Sequence, residues 1–155
     1  MNQSLNRSTM VPPLRLVFLM WLTFSLSFAT GFGFDFMGIV PRTYGGLLGI
    51  LTGPLIHGDL NHILSNTIPV LFLGVTLYFF YPLIASRIFI QCYIFTNFFV
   101  WLFARPFNHI GASGLVYALA FFLIFLGFFR RDFKSLFISI VILFVYGGLV
   151  YGAFD

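Results

Sequence analysis

The chain has 155 residues, of which 60% are hydrophobic and only 8% are charged, and its mean hydropathy is +1.02. A soluble domain of this size carries about 25% charged residues, because a small body is mostly surface. A soluble globular fold is therefore excluded, and the single cysteine excludes a disulfide scaffold. The net charge of +4 comes from basic residues that are scattered rather than clustered with aromatic residues on a polar face, so we expect no nucleic-acid partner.

Five apolar stretches approach the length of about 20 residues that a helix needs to cross a bilayer. They are predicted at about 16–34, 63–81, 88–104, 110–129 and 135–154. A cleavable signal peptide is the alternative for the first stretch, but that stretch is too long and no cleavage site precedes a soluble domain. We expect a single all-α domain over residues 1–155, a polytopic transmembrane helical bundle with five spans present.

The segment 35–56 differs from the spans because Pro and Gly residues are mixed there with Leu and Ile. Turn-forming residues mixed with apolar ones predict a loop that lies in the membrane interface. With the N-terminus inside, the inner segments hold six basic residues and the outer segments hold Arg42 and Arg105. This distribution follows the positive-inside rule, so we expect a cytoplasmic N-terminus and an outward-facing loop.

Polar residues cluster at the predicted start of the second span. His62 and Asn66 are four residues apart and therefore share one helix face, whereas His57 lies about 140° away around an ideal helix. Both His62 and Asn66 can donate hydrogen bonds toward a developing oxyanion. The alternative is that two polar side chains join neighbouring helices.

A second cluster, Gly111-Ala-Ser113-Gly114, enters the predicted fourth span at the same outer face. A serine in the first turn of a helix lies beside free backbone amides that favour negative charge, so Ser113 is a candidate nucleophile. Small-residue helix packing explains the same four residues equally well. The spacing alone leaves both interpretations open.

Other chemistry for these residues is less favoured. A metal site from His57, Asp59, His62 and His109 lacks a typical ligand spacing, and a chain whose four acids are all Asp has no H-E-x-x-H motif. Asp59 is better placed as a helix N-cap than as a triad acid. His109 lies four residues before Ser113, where a base is conceivable, but a loop histidine is the favoured interpretation. We expect neither a metal nor a cofactor.

Taken together, the motifs resemble the rhomboid family of intramembrane serine proteases, in its short bacterial form. The resemblance rests on His57-x4-His62-x3-Asn66, on Gly111-Ala-Ser113-Gly114, on the outer loop 38–50 and on the basic residues after the fourth span. It implies that Ser113 is the nucleophile and that His62, Asn66 and the Ser113 amide form an oxyanion hole. It also implies that His57 is structural and braces the outer loop.

In this family the general base is a histidine on a sixth span, and this sequence has three histidines, none beyond residue 109. We expect a C-terminally truncated part of a six-span protease; the alternative is a complete five-span protein without the dyad. The implied activity is cleavage of a peptide bond in or near a transmembrane segment of membrane-protein substrates, in a bacterial plasma membrane. The alternative function is a non-catalytic pseudo-protease that binds transmembrane clients. A small-solute transporter is weaker, since neither repeats nor paired intramembrane charges occur.

Overall fold

A computed structural model of the protein describes residues 11–148. The described chain forms six α-helices. They are α1 Val11–Thr30, α2 Tyr44–Thr52, α3 Leu60–Phe80, α4 Pro82–Phe103, α5 Ser113–Arg130 and α6 Phe133–Tyr146. Four of them, α1, α3, α4 and α5, are long and apolar enough to cross a membrane. The prediction of an all-α polytopic helical bundle is confirmed.

The helix bounds differ from the predicted spans at several ends. Within the described residues, helix α1 already includes Val11, whereas the predicted span began at residue 16. Helix α1 ends at Thr30, where Gly31 follows with a φ of +69°. Helix α4 begins at Pro82 rather than residue 88, because a proline in a first helical turn loses no hydrogen bond. Helix α6 covers the first part of the predicted fifth span, and residues 149–155 lie outside the described part.

The segment 35–56 is more ordered than the predicted loop, because it contains α2 and two short 3-10 turns, Asp35–Met37 and Gly53–Leu55. Thr43 caps α2 by accepting a hydrogen bond from the Gly46 amide. Gly46 and Gly49 are buried against the backbone of residues 38–40, so closely that a Cβ at either position would collide with it. Glycine at these two positions lets the short helix pack closely on that backbone, although glycine usually disfavours a helix.

The core lies between α3 and α5, with α1 packed on α3 and with α4 and α6 packed on α5. Fully buried leucines, such as Leu73 and Leu77 of α3 and Leu119 and Leu123 of α5, belong to one hydrophobic cluster. Many phenylalanines point outward, including Phe125 and Phe144. An apolar exterior around an apolar core is the pattern that a helix bundle in lipid requires.

The segment 35–56 holds the starts of α3 and α5 together. Ile39 and His109 form an isolated antiparallel bridge, with N···O distances of 2.8 and 2.9 Å. The Gly111 amide donates to the Gly53 carbonyl at 3.0 Å. On the other side, Arg42 donates to the Leu102 and Ala104 carbonyls and so fastens the segment to the end of α4. Both polar clusters are thereby placed at one end of the bundle.

Candidate functional site

The start of α3 positions His62 and Asn66. Asp59 is the N-cap of this helix, and its carboxylate accepts a hydrogen bond from the His62 amide at 2.8 Å. The prediction that Asp59 caps the helix is therefore confirmed. Asn66 is buried, and its Nδ2 donates to the His62 carbonyl at 2.8 Å. One N–H of the Asn66 amide is held by its own helix, and an amide group carries a second N–H for another acceptor.

Ser113 is the first residue of α5, and its side chain is exposed. The chain reaches it through Gly111, whose φ of +97° strongly favours glycine. A Cβ at Gly111 would collide with Nε2 of His62, so the His62 imidazole lies directly against the backbone two residues before Ser113. The turn before α5 thus brings the two sequence clusters into contact.

Ser113, His62 and Asn66 line a single open cleft of about 260 Å³ between α3, α5 and α6. Tyr117 of α5 and Tyr146 of α6 complete its wall. Ser113 also borders a second cavity of about 160 Å³ on the α4 side, which includes Asn97 and His109. The serine therefore stands between two cavities, with both oxyanion candidates on the α3 side.

His57 lies beside the site rather than in the cleft. Its ring is only 6% exposed, and its centroid is 4.9 Å from that of His62 in an edge-to-face arrangement. Burial, and after it the neighbouring His62, lower the pKa of His57 to about 4, so its imidazole is neutral at neutral pH. Neither ring nitrogen has a hydrogen-bond partner within residues 11–148. The expected bracing of the outer loop by His57 therefore rests on packing, and it stays a prediction.

His109 is occupied by the loop. Its Nε2 lies 3.0 Å from the Arg105 carbonyl, and a carbonyl accepts only, so this nitrogen carries the proton in that contact. Its backbone is paired with Ile39. These contacts agree with a loop histidine rather than a base directed at Ser113. Within the described residues, no three His, Cys, Asp or Glu side chains lie close enough to hold a metal ion.

A comparison with protein families decides the identity of this bundle. The Rhomboid domain matches residues 44–155, which include both polar clusters and α2 to α6. The chain belongs to the rhomboid family.

The relatives of this rhomboid are bacterial proteins without a described function. Uncharacterized proteins of Mycobacterium bovis and Mycobacterium tuberculosis are 35% identical to it over 150 residues, which cover 90% of the chain and 61% of each relative. An uncharacterized protein of Mycobacterium leprae is 37% identical over 117 residues, 68% of the chain and 44% of that protein. The chain thus spans about three-fifths of the length of the first two relatives. No solved structure gives a significant match.

The structure of this rhomboid adds residues that the sequence analysis did not single out. Tyr117 lies one helical turn after Ser113, and this i, i+4 spacing was a readable signal for a shared face. Tyr146 and Asn97 carry no such signal, because their positions near Ser113 depend on how α6 and α4 pack on α5. Gly111 was noted as a small neighbour, but its contact with His62 requires the fold.

Proposed function

We propose that the protein is an intramembrane serine endopeptidase, with Ser113 as the nucleophile. The observation that carries the proposal is the shared cleft: Ser113, His62 and Asn66 come from two distant parts of the sequence and line the same cavity. Membership of the rhomboid family supports the same assignment. The substrates are membrane proteins, cleaved in or near a transmembrane segment.

The oxyanion of such a reaction is stabilised at the starts of two helices. The amide of Ser113 belongs to the first turn of α5, where backbone N–H groups have no partner inside the helix. His62 and Asn66 supply side-chain donors from α3 on the other wall of the cleft. Donors fixed by helix geometry need little reorganisation as negative charge develops on the substrate carbonyl oxygen.

The reaction then proceeds in two steps. Ser113 Oγ attacks the carbonyl carbon, a base takes its proton, and the C–N bond breaks as that proton passes to the leaving amine. Water attacks the resulting ester in the second step and releases the new carboxyl group and the serine hydroxyl. We assign the base to a histidine on a sixth span, as the family resemblance implies, because His57 is packed aside, His109 is engaged with Arg105 and His62 is an oxyanion donor.

The orientation of the bundle gives the cleft access to water from outside the cell. Helices α3 and α5 both begin at the end of the bundle that carries the cleft, and the basic residues after α5 lie at the other end. By the positive-inside rule the N-terminus is cytoplasmic and the cleft faces outward in the plasma membrane. A locally unwound substrate segment would approach Ser113 from that face.

Covalent labelling tests the assignment. The full-length protein, carrying the sixth span, should react with a fluorophosphonate probe, and Ser113→Ala should abolish the reaction because the probe forms its bond to the serine Oγ. Ser86→Ala, which alters an exposed serine on α4, should be labelled like the wild type. Persistent labelling of Ser113→Ala would rule out Ser113 as the nucleophile.

The same labelling experiment distinguishes the proposed protease from the alternative, non-catalytic function. The alternative is a rhomboid pseudo-protease that binds transmembrane clients without cleaving them, using the same cleft as a binding surface. Such a protein would retain a transmembrane client in detergent while remaining unlabelled by the probe. Labelling that depends on Ser113 would exclude it.

A further inference from the structure

The turn between α5 and α6 carries a concentration of positive charge at the end of the bundle opposite the cleft. We call Arg130, Arg131, Asp132 and Lys134 the basic turn. Its acid, Asp132, is fully engaged: Oδ1 accepts from the Ser135 amide at 2.9 Å, and Oδ2 accepts from Ser135 Oγ at 2.8 Å and faces Arg130 Nε at 3.2 Å. These hydrogen bonds from Ser135 hold the pKa of Asp132 below its usual range. Because that carboxylate is paired with Arg130, it leaves the charges of Arg131 and Lys134 in excess.

The basic turn is fixed on the end of α3 rather than free to move. Lys134 Nζ donates to the Phe80 carbonyl at 3.1 Å and lies 5.1 Å from the Tyr81 ring centroid. The Arg130 guanidinium lies 5.8 Å from the same ring. Tyr81 in turn is buried and donates to Ser135 Oγ at 3.1 Å. Lys134 and Arg130 are therefore held in place, and for Lys134 this lowers the entropic cost of binding an anion.

Arg131 stands apart from this network. It is exposed, and its side chain makes none of the hydrogen bonds or ion pairs found within residues 11–148. Its φ of +53° places it in the left-handed region at the C-terminus of α5, where glycine is the usual residue. This conformation ends α5, with the Arg131 amide donating to the Gly127 carbonyl at 3.3 Å, and it leaves the side chain exposed and free to meet an anion.

Large exposed apolar side chains lie next to the basic turn and determine how deep it lies in the membrane. Phe129 is 82% exposed and Phe133 is 86% exposed, on either side of Arg130 and Arg131 in the sequence. Leu83, at the start of α4 beside Tyr81, is 99% exposed. Such side chains belong in hydrocarbon, so the adjoining cations lie at the level of the lipid headgroups.

We propose that the basic turn binds an anionic phospholipid. The headgroup phosphate would lie against Arg131 and Lys134, and the acyl chains would run along Phe129 and Phe133. Charge complementarity selects an anionic lipid over a zwitterionic one. A lipid is favoured over a free anion because Phe129 and Phe133, immersed in hydrocarbon, place the adjoining cations at the depth of the headgroup phosphates.

Lipid titration of the full-length protein in detergent, read by native mass spectrometry, tests this site. Phosphatidylglycerol should bind more tightly than phosphatidylcholine of the same acyl chains. Arg131→Asn should weaken phosphatidylglycerol binding about fivefold, the effect of one basic residue near an anionic surface. Asparagine tolerates the left-handed conformation, so this variant keeps the turn. Arg131→Lys should retain the affinity, and Arg105→Gln, at the other end of the bundle, should leave it unchanged.

Each of the following results would contradict the proposed lipid site. Equal binding of the two lipids, or wild-type affinity in Arg131→Asn, would overturn the proposal. Retention of inorganic phosphate by the basic turn with the same dependence on Arg131 would also overturn it, in favour of a free anion. A loss of affinity in Arg105→Gln as large as that in Arg131→Asn would show a general charge effect rather than a site.

Discussion

Among single residues, Gly111 meets two separate demands. Its φ of +97° is one that side chains rarely adopt, and the space where a Cβ would project is filled by the His62 ring. We predict that Gly111→Ala lowers the free energy of unfolding by about 1 to 3 kcal/mol, the usual cost of a residue held in a disfavoured backbone region. It should also slow fluorophosphonate labelling, because His62 must move away from the backbone that leads to Ser113. The change in the free energy of unfolding is measured by titrating SDS into the protein in detergent micelles.

Gly58 provides the control for this variant. It lies in the same neighbourhood, its φ is outside the positive region, and a Cβ there would meet only Ile110 at an ordinary 3.9 Å. Gly58→Ala should therefore unfold and be labelled like the wild type. Equal effects of the two substitutions would mean that the contact between Gly111 and His62 does not organise the site.

The sequence offered Ser113, His62 and Asn66 as candidates, because a four-residue spacing and a serine at a predicted helix start are local features, and the family resemblance chose among the interpretations left open. The sequence was not sufficient to show how they meet. The contact of His62 with Gly111 and the pairing of His109 with Ile39 join segments that are far apart in the chain. Such contacts follow from packing, which no local spacing encodes.

At the scale of the helices, hydropathy located the four long apolar helices but misplaced their ends. Apolarity is continuous across a helix end, whereas the end itself is set by backbone chemistry, as at Gly31 after α1 and at Pro82, the first residue of α4. Helix α2 was missed because Gly46 and Gly49 usually disfavour a helix. These two glycines serve tertiary packing, since only glycine lets α2 lie on the backbone of residues 38–40.

The pair α5 and α6 depends on a similar close approach. Gly127 of α5 is buried, and a Cβ there would collide with Ser139 Cβ and crowd the Ser135 carbonyl of α6. Ser139 Oγ donates to the Ile124 carbonyl at 2.7 Å, which a small separation of the helices would break. We predict that Gly127→Ala lowers the free energy of unfolding by about 1 to 3 kcal/mol through overpacking.

Gly45→Ala is the matched control for this helix pair, because a Cβ at Gly45 in α2 would have no neighbour within 4 Å. That variant should unfold like the wild type or slightly later, since alanine favours a helix over glycine. SDS titration of both proteins gives the comparison. An unchanged midpoint for Gly127→Ala would show that α5 and α6 are not held by this contact.

In the whole molecule, the two ends of the bundle have opposite chemical characters. One end contains the cleft, the neutral His57 and the segment 35–56, which is fastened to α4 through Arg42. The other end gathers the basic turn on Tyr81. Because α3 and α5 start at the first end, Ser113, His62 and Asn66 lie at the end of the bundle opposite the basic turn.

This arrangement predicts the orientation of the protein. In a Cys92→Ala background, Phe107→Cys, at an exposed position near the cleft, should react with a membrane-impermeant maleimide in right-side-out plasma-membrane vesicles. Arg131→Cys, in the basic turn, should react only after the vesicles are opened, because basic segments are retained on the cytoplasmic side. Opened vesicles, in which both variants should react, control for thiol reactivity. The reverse pattern would place the cleft in the cytoplasm, and Ser113 would then receive water and substrate from inside the cell.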